Sequence, residues 1–358
     1  MKIGILTYHR SHNYGALLQA LALKSVLEKM KHQATFIDYW PDYHKRMYAF
    51  FSIYALWKKK GIKTKFFYVK NCLQNFKCRK KRIENFKYFI NKYIEPYISS
   101  VQDSYDIVIH GSDQIWRKQP ELRTYNPVYF GKHGIQTQKK ISYAASMGIL
   151  PEKETDKQIL KEYLSYLHSI SVREENLSEL LHSLGYQNVF HDLDPTLLLP
   201  SAFWEKKFKL EQTQEKYALY YCLQNAFDVK DLKKYAQSQG LKLKIISNNA
   251  KFKNTEDVYT VSNPAEFLKL MYGASFVFTS SFHGLAFALI FHKPFWASYK
   301  KNAGRAESLL HALGLSDLMI PPYSPIPRGS YAINYSIVDD CIQTMREKSL
   351  SHLKQMIG

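Results

Sequence analysis

The segment Thr279-Ser280-Ser281-Phe282-His283-Gly284 carries the residue types best suited to chemistry. The apolar run Phe276-Val277-Phe278 leads into it, and Leu285-Ala286-Phe287-Ala288 leads out with helix-forming residues. The pattern reads as strand, turn, helix. A helix start offers free backbone N–H groups and partial positive charge, which suit a phosphate or a carboxylate. Ser280 and Ser281 add hydroxyls, and Gly284 belongs to the same helix start. His283 stands where a proton donor or acceptor would meet a bound anion. The competing reading is a capped helix with a packed histidine.

Further groups fall at ends of other elements. Arg305, in Ala303-Gly304-Arg305-Ala306, follows the strand at Phe295 and suits bidentate anion binding, or is a surface arginine at a helix start. Arg173 ends the strand Ser169–Arg173 and faces the cleft, or pairs with a nearby Glu. In Gly111-Ser112-Asp113-Gln114-Ile115-Trp116, Asp113 and Gln114 would offer hydrogen bonds to sugar hydroxyls, and Trp116 would stack on a sugar ring. The alternative there is an Asx turn with a buried Trp. Asn13-Tyr14-Gly15, with Gln19, forms the first turn between strand and helix. It lacks the second and third glycines of a dinucleotide fingerprint, which disfavours NAD.

The elements that must position these groups alternate. Lys2–Thr7 is a buried strand, Ala16–Met30 a helix and Thr35–Tyr39 a second strand, which is a βαβ unit. Strands follow at 105–111, 140–145, 169–173 and 188–192, with helices at 152–167 and 175–184. A second set has strands at 217–222, 242–247, 275–279 and 293–297, with helices at 228–239, from Pro264 and at 284–291. The expected fold class is α/β, with two parallel-sheet domains facing a cleft. The domains are 1–197 and 198–358, with a hinge near Pro195–Pro200 and a basic helical insertion at 41–100. The last helix, Ser336–Ile357, either packs back across the first domain or stays with the second.

The bulk numbers agree with this. The chain has 358 residues and a globular composition, with 46% hydrophobic residues. No run reaches the roughly 18–20 apolar residues of a membrane span, and the N-terminus has no leader pattern, so the expected location is the cytoplasm. Four cysteines, Cys72, Cys78, Cys222 and Cys341, match no metal or redox spacing, and no metal is expected. The net charge is +19, and residues 41–100 hold fifteen Lys/Arg against Asp42, Glu84 and Glu95. Such a block is either a solvated helical face or a surface for nucleic acid, an anionic membrane or a phosphorylated substrate.

Several of these segments occur together in an order that resembles the polysaccharide pyruvyl transferase family. They are Asn13-Tyr14-Gly15-Ala16-Leu17-Leu18-Gln19-Ala20, Gly111–Trp116, Ile141–Gly148, Ser171-Val172-Arg173-Glu174, Asp194–Leu199, Ser280–Gly284, and Arg305 with Ser308-Leu309-Leu310. The resemblance implies two Rossmann-like domains arranged as in GT-B glycosyltransferases. It implies transfer of pyruvate from phosphoenolpyruvate, a co-substrate, to sugar hydroxyls of a cell-surface polysaccharide or its lipid-linked precursor, giving a ketal without a cofactor. The family's histidine and arginine fall on His283 and Arg305, and Arg173 matches more loosely. His283, Arg305 and Asp113 are then the catalytic candidates. Arg173, Ser280, Ser281, Gly284 and Arg305 form the donor set, and Asn13, Gln19, Asp113, Gln114 and Trp116 the acceptor set. The basic stretch would meet an anionic membrane surface at the inner face. The rival readings are a GT-B glycosyltransferase using a nucleotide sugar and a non-enzymatic binder of nucleic acid or anionic surfaces.

Overall fold

The computed structural model describes residues 1–49, 51, 56–57, 61–247, 258–259, 263–327 and 332–358. Its strands are β1 (Lys2–Leu6), β2 (Gln33–Ile37), β3 (Ile98–Ser99), β4 (Tyr105–Asp113), β5 (Thr137–Ala145), β6 (Ile170–Val172) and β7 (Val189–His191), then β8 (Tyr217–Cys222), β9 (Lys242–Ser247), β10 (Val258–Tyr259), β11 (Phe276–Thr279) and β12 (Phe295–Ala297). The helices are α1 (Tyr14–Lys29), α2 (Asp42–Tyr48), α3 (Ile62–Gln74), α4 (Phe76–Tyr93), α5 (Glu154–Leu164) and α6 (Glu175–Ser183), then α7 (Ser201–Phe208), α8 (Val229–Ser238), α9 (Pro264–Gly273), α10 (Phe282–Ile290), α11 (Gly304–Ala312) and α12 (Tyr335–Ile357).

The strands assemble into two parallel sheets. The first has the order β3-β2-β1-β4-β5-β6-β7 and the second β10-β9-β8-β11-β12. Ile5 lies beside Ile109 in the first, and Val277 beside Leu219 in the second. Both faces of each sheet are covered, so these strands read as unbroken apolar runs. In each sheet the winding direction reverses once, between β1 and β4 and between β8 and β11. Such switch points open a crevice at the carboxyl ends of the strands.

Helix α1 is buried on every side from Tyr14 to Leu27. It lies between the first sheet and α9, where Tyr14 stacks on Phe267 with ring centroids 5.1 Å apart. A helix apolar all round is an interior helix. One buried apolar cluster therefore runs from Ile3 and Ile109 to Leu219 and Leu285 without a break between the sheets. The 3-10 turn Pro195–Leu198 packs into it. Helix α12 returns to the first sheet, where Ser349 Oγ accepts from Leu193 N at 3.0 Å and His352 Nδ1 meets Asp192 Oδ1 at 2.8 Å.

Some boundaries differ from the sequence reading. Strand β4 does not stop at Gly111 but continues to Asp113. Gly111 takes φ 129°, and a Cβ there would lie 2.3 Å from Tyr143 O, so glycine lets the strand continue against β5. Helix α10 begins at Phe282 rather than Gly284, which puts His283 inside its first turn. Helix α5 is shorter than expected, and β3 and β10 are short edge strands that no periodicity marks. Between β2 and β3 lie α2, α3 and α4; parts of the aromatic and basic run, at 50, 52–55 and 58–60, are outside the described residues. Among the described residues no helix is long and apolar enough to cross a membrane.

Candidate active site

The loops after β1, β4, β8 and β11 converge on one cavity of about 220 Å³. These four strands flank the two switch points, so the topology dictates the cavity's place. Asn13, Asp113 and Gln114 line it from the first sheet; Ser280, Ser281, His283 and Arg305 line it from the second. Those expected residues do meet in one place.

Helix α10 supplies one wall. Ser281 is its N-cap in an extended conformation, and Thr279 Oγ1 accepts from Ser281 N at 3.1 Å. The next amides begin the helix and have no carbonyl one turn back to bond. Ser280 Oγ accepts from Leu223 N at 3.1 Å and Gln224 N at 2.9 Å, fixing the β8 and β11 loops to each other. His283 is nearly buried, with its ring pressed on the backbone of Gly15. A Cβ built on Gly15 would fall 2.0 Å from His283 Nδ1. Glycine at that position is therefore a requirement of close approach, which a dinucleotide comparison does not reveal.

Behind His283 sits Asp194, a residue the sequence reading did not assign to the site. Its Oδ2 lies 3.5 Å from His283 Nε2 and 2.9 Å from Arg173 Nη2. Its Oδ1 accepts from Thr196 N at 2.9 Å and Thr196 Oγ1 at 2.6 Å. Burial would raise this carboxyl, but the charges of Arg173 and His283 outweigh it and hold it well below the usual carboxylate range. A carboxylate facing Nε2 favours the tautomer with its proton there. The sequence signal was Asp194-Pro195-Thr196, an Asp capping a tight turn.

Arg305 and Glu174 form a second group. Arg305 Nε is 3.9 Å from Glu174 Oε1, and Nη1 is 3.9 Å from Asp113 Oδ1. Burial pushes Glu174 up; Arg305 and the Ser146 hydroxyl, which donates to it, pull the other way. Burial likewise lowers Arg305, with Arg173 adding repulsion and Glu174 opposing it. The two guanidinium carbons lie over the ring of Phe282, at 5.3 Å for Arg173 and 5.2 Å for Arg305. Arg305 Nε has no hydrogen-bond partner within the protein. Asp113 takes φ 82°, a left-handed backbone uncommon for a non-glycine residue and found disproportionately at functional sites.

The remaining wall was not read from the sequence. Tyr8, His44, Tyr48, Arg117 and Gln119 complete the first-sheet side. Burial pushes His44 down to about 4, so it is neutral near pH 7. Tyr8 OH donates to Gln114 O at 3.1 Å and accepts from Gln119 Nε2 at 3.1 Å.

Four expected contacts are not at the cavity wall. Trp116 is 0% exposed, stacked on Phe130, with Nε1 donating to Tyr129 O at 3.0 Å; it is a core residue and presents no face to a sugar. Gln19 is fully buried and donates to Thr7 Oγ1 at 3.1 Å, while Thr7 Oγ1 donates to Ser112 O at 2.8 Å. It ties β1 to β4 beneath Asp113. Gly284 faces inward against Thr279 and Tyr221. Arg173 is buried behind Phe282 and committed to Asp194 and the Ser112 hydroxyl. Arg173 does form a salt bridge, but its partner is Asp194 rather than the nearby Glu expected from the sequence.

Two outcomes follow. In Gly15→Ala the added methyl collides with the His283 ring; activity falls by about 100-fold or more, while circular dichroism is unchanged. Asp194→Asn leaves Arg173 without its buried partner and lowers stability by about 3 kcal/mol. A depressed carboxyl contributes its stability above its unfolded value of about 3.9 and loses it only as pH falls below that. The melting-temperature deficit of Asp194→Asn is thus present at neutral pH and narrows below about pH 4.

No curated protein matches the sequence. Among solved structures, the UDP-GlcNAc 2-epimerase of Methanocaldococcus jannaschii, in complex with UDP-GlcNAc and UDP, is similar over 99% of this chain and 99% of its own, at 11% identity and a TM-score of 0.46. The E. coli heptosyltransferase WaaC with ADP is similar over 97% of this chain and 100% of its own, at 11% identity and a TM-score of 0.41. The family model for polysaccharide pyruvyl transferase matches residues 13–299, short of Arg305. That stretch runs from the Asn13 cap through Asp113, Arg173 and Asp194 to His283 and takes in both walls of the cavity, and the chain belongs to the polysaccharide pyruvyl transferase family.

Proposed function

We propose that the cavity transfers pyruvate from phosphoenolpyruvate to two hydroxyls of a sugar. The observation that carries this reading is the sharing of one small cavity by a helix-start histidine and Arg305, opposite the strained carboxylate Asp113. Phosphate and carboxylate of the donor suit Arg305 and the first turn of α10, with Ser281 at its start. His283, in its imidazolium form with Nε2–H kept toward Asp194, gives its Nδ1 proton to the methylene carbon, C3, and becomes the neutral ring. As that C–H bond forms, positive charge develops at C2, and an acceptor hydroxyl bonds there.

The hydroxyl proton passes to Asp113 or back to His283. Phosphate then leaves with the C2–O bond pair, and a second hydroxyl of the same sugar closes the ketal. One acceptor proton ends on the new methyl group and the other is released with the phosphate. No metal or cofactor takes part in this scheme. The acceptor belongs to a cell-surface polysaccharide or its lipid-linked precursor, and the work takes place in the cytoplasm.

A thermal-shift comparison of phosphoenolpyruvate with UDP and GDP sugars tests the donor. Stabilisation by phosphoenolpyruvate is expected; stabilisation by a nucleotide sugar alone would point to glycosyl transfer. With a sugar acceptor, the product carries the mass of a pyruvate ketal. His283→Ala lowers turnover by about 10²–10⁴-fold with the fold intact, and near-normal turnover would remove the proton-transfer role. Arg305→Ala raises the Kd for phosphoenolpyruvate by about 10- to 100-fold, the scale of lost charge-assisted hydrogen bonds. An unchanged Kd would take Arg305 out of the donor site.

A further inference from the structure

Helices α3 and α4 follow one another with only Asn75 between them, and their exposed sides carry two properties seldom found together in water. On α3, Ile62, Phe66 and Leu73 fall on one stripe and are 87%, 68% and 68% exposed. Phe67, on the adjacent flank, is 67% exposed, between Lys63 and Lys70. Helix α4 buries Phe86, Phe89 and Ile90 on its inner side. Its outer side carries exposed Lys77, Lys80, Lys81 and Lys87. Residues 62–93 contain one acid, Glu84. An exposed apolar stripe of this size marks an interaction surface.

We propose that the exposed side of α3, with the lysines that follow on α4, docks on an anionic lipid surface. An interfacial helix places aromatic and aliphatic side chains at the acyl boundary and keeps lysines at the headgroups, their stems lying along the apolar surface. Juxtaposed lysines are attracted by anionic headgroups. The charge pattern argues against a second copy of the chain, because association through this face would bring the two lysine sets together. Nucleic acid would answer the lysines but would leave Ile62 and Leu73 in water.

The face is joined to the cavity wall. Arg82 of α4 donates to His12 O at 2.8 Å, and Arg79 donates to Ala49 O at 3.4 Å, just past α2. Met47 of α2 lines the cavity and is itself exposed. Docking through α3 and α4 would therefore hold the mouth of the cavity near the bilayer, where a membrane-held sugar acceptor would lie. The docking residues are distinct from those lining the cavity, so the surface is tested without reference to the reaction.

The test is sedimentation of the full chain with vesicles of phosphatidylcholine, with and without phosphatidylglycerol, at low and moderate salt. Binding to the anionic vesicles is expected, at least about 10-fold weaker on phosphatidylcholine alone and weakened by salt. Phe66→Ser/Phe67→Ser should lose about 10-fold or more in vesicle affinity with melting temperature and circular dichroism unchanged, because both side chains are exposed. Lys63→Gln/Lys70→Gln/Lys77→Gln should lose the preference for anionic lipid. Equal sedimentation of wild type and Phe66→Ser/Phe67→Ser would overturn the proposal. So would a wild-type dimer, seen by light scattering, that the same double variant dissociates, or binding to duplex DNA that exceeds vesicle binding and survives that variant.

Discussion

A buried carboxylate ties the two halves of the molecule together at the point where chemistry would occur. Asp194 stands just past β7, where the chain leaves the first sheet. It meets Arg173 from the end of β6 and His283 from the first turn of α10 in the second sheet. A charge removed from water is tolerated only when its partners are close and well placed. The need to satisfy this carboxylate therefore constrains the approach of β6, α10 and the turn Pro195–Leu198. Arg173 extends the constraint to Ser112, beside Asp113. Displacing any member changes the position of the others.

His283 is consequently fixed on two sides, by Asp194 at Nε2 and by the backbone of Gly15 across the ring. Its rotamer is set by packing rather than by solvent, as proton transfer at a defined atom requires. Arg305 is held more loosely, with carboxylates 3.9 Å away on two sides and an unpartnered Nε. Glu174 and Asp113 thus balance the charge of a cation that is still able to bind an anion. His283 is positioned by packing against Gly15, whereas Arg305 sits between two carboxylates.

The cavity owes its position to topology. Both sheets wind outward from a central pair of strands, β1 with β4 and β8 with β11. The four loops that leave those strands face each other because α1 and α9 pack the sheets together through a shared core. The pair of helices α3 and α4 lies outside this scheme. It braces the edge of the cavity through Arg82 and Phe86 and presents a lysine-rich apolar face to the surroundings.

Local chemistry made much of this legible in the sequence. Unbroken apolar runs mark buried parallel strands, and a polar turn before helix-forming residues marks the start of α10. The residues at such strand ends, Asn13, Asp113, Ser281 and His283, do share the cavity. Proximity to a strand end did not decide where each side chain points. Trp116, in the turn after β4, and Gln19, inside α1, face inward, since the register of β4 against β5 and the packing of α1 set their direction. Gly15 was visible as a turn residue and Asp194 only as part of a family-like segment; their partner, His283, comes from the other sheet, far away in sequence. Sequence periodicity specifies elements and their ends. The pairing of a carboxylate, a guanidinium and an imidazole across two sheets exists only once the shared core has brought those ends together.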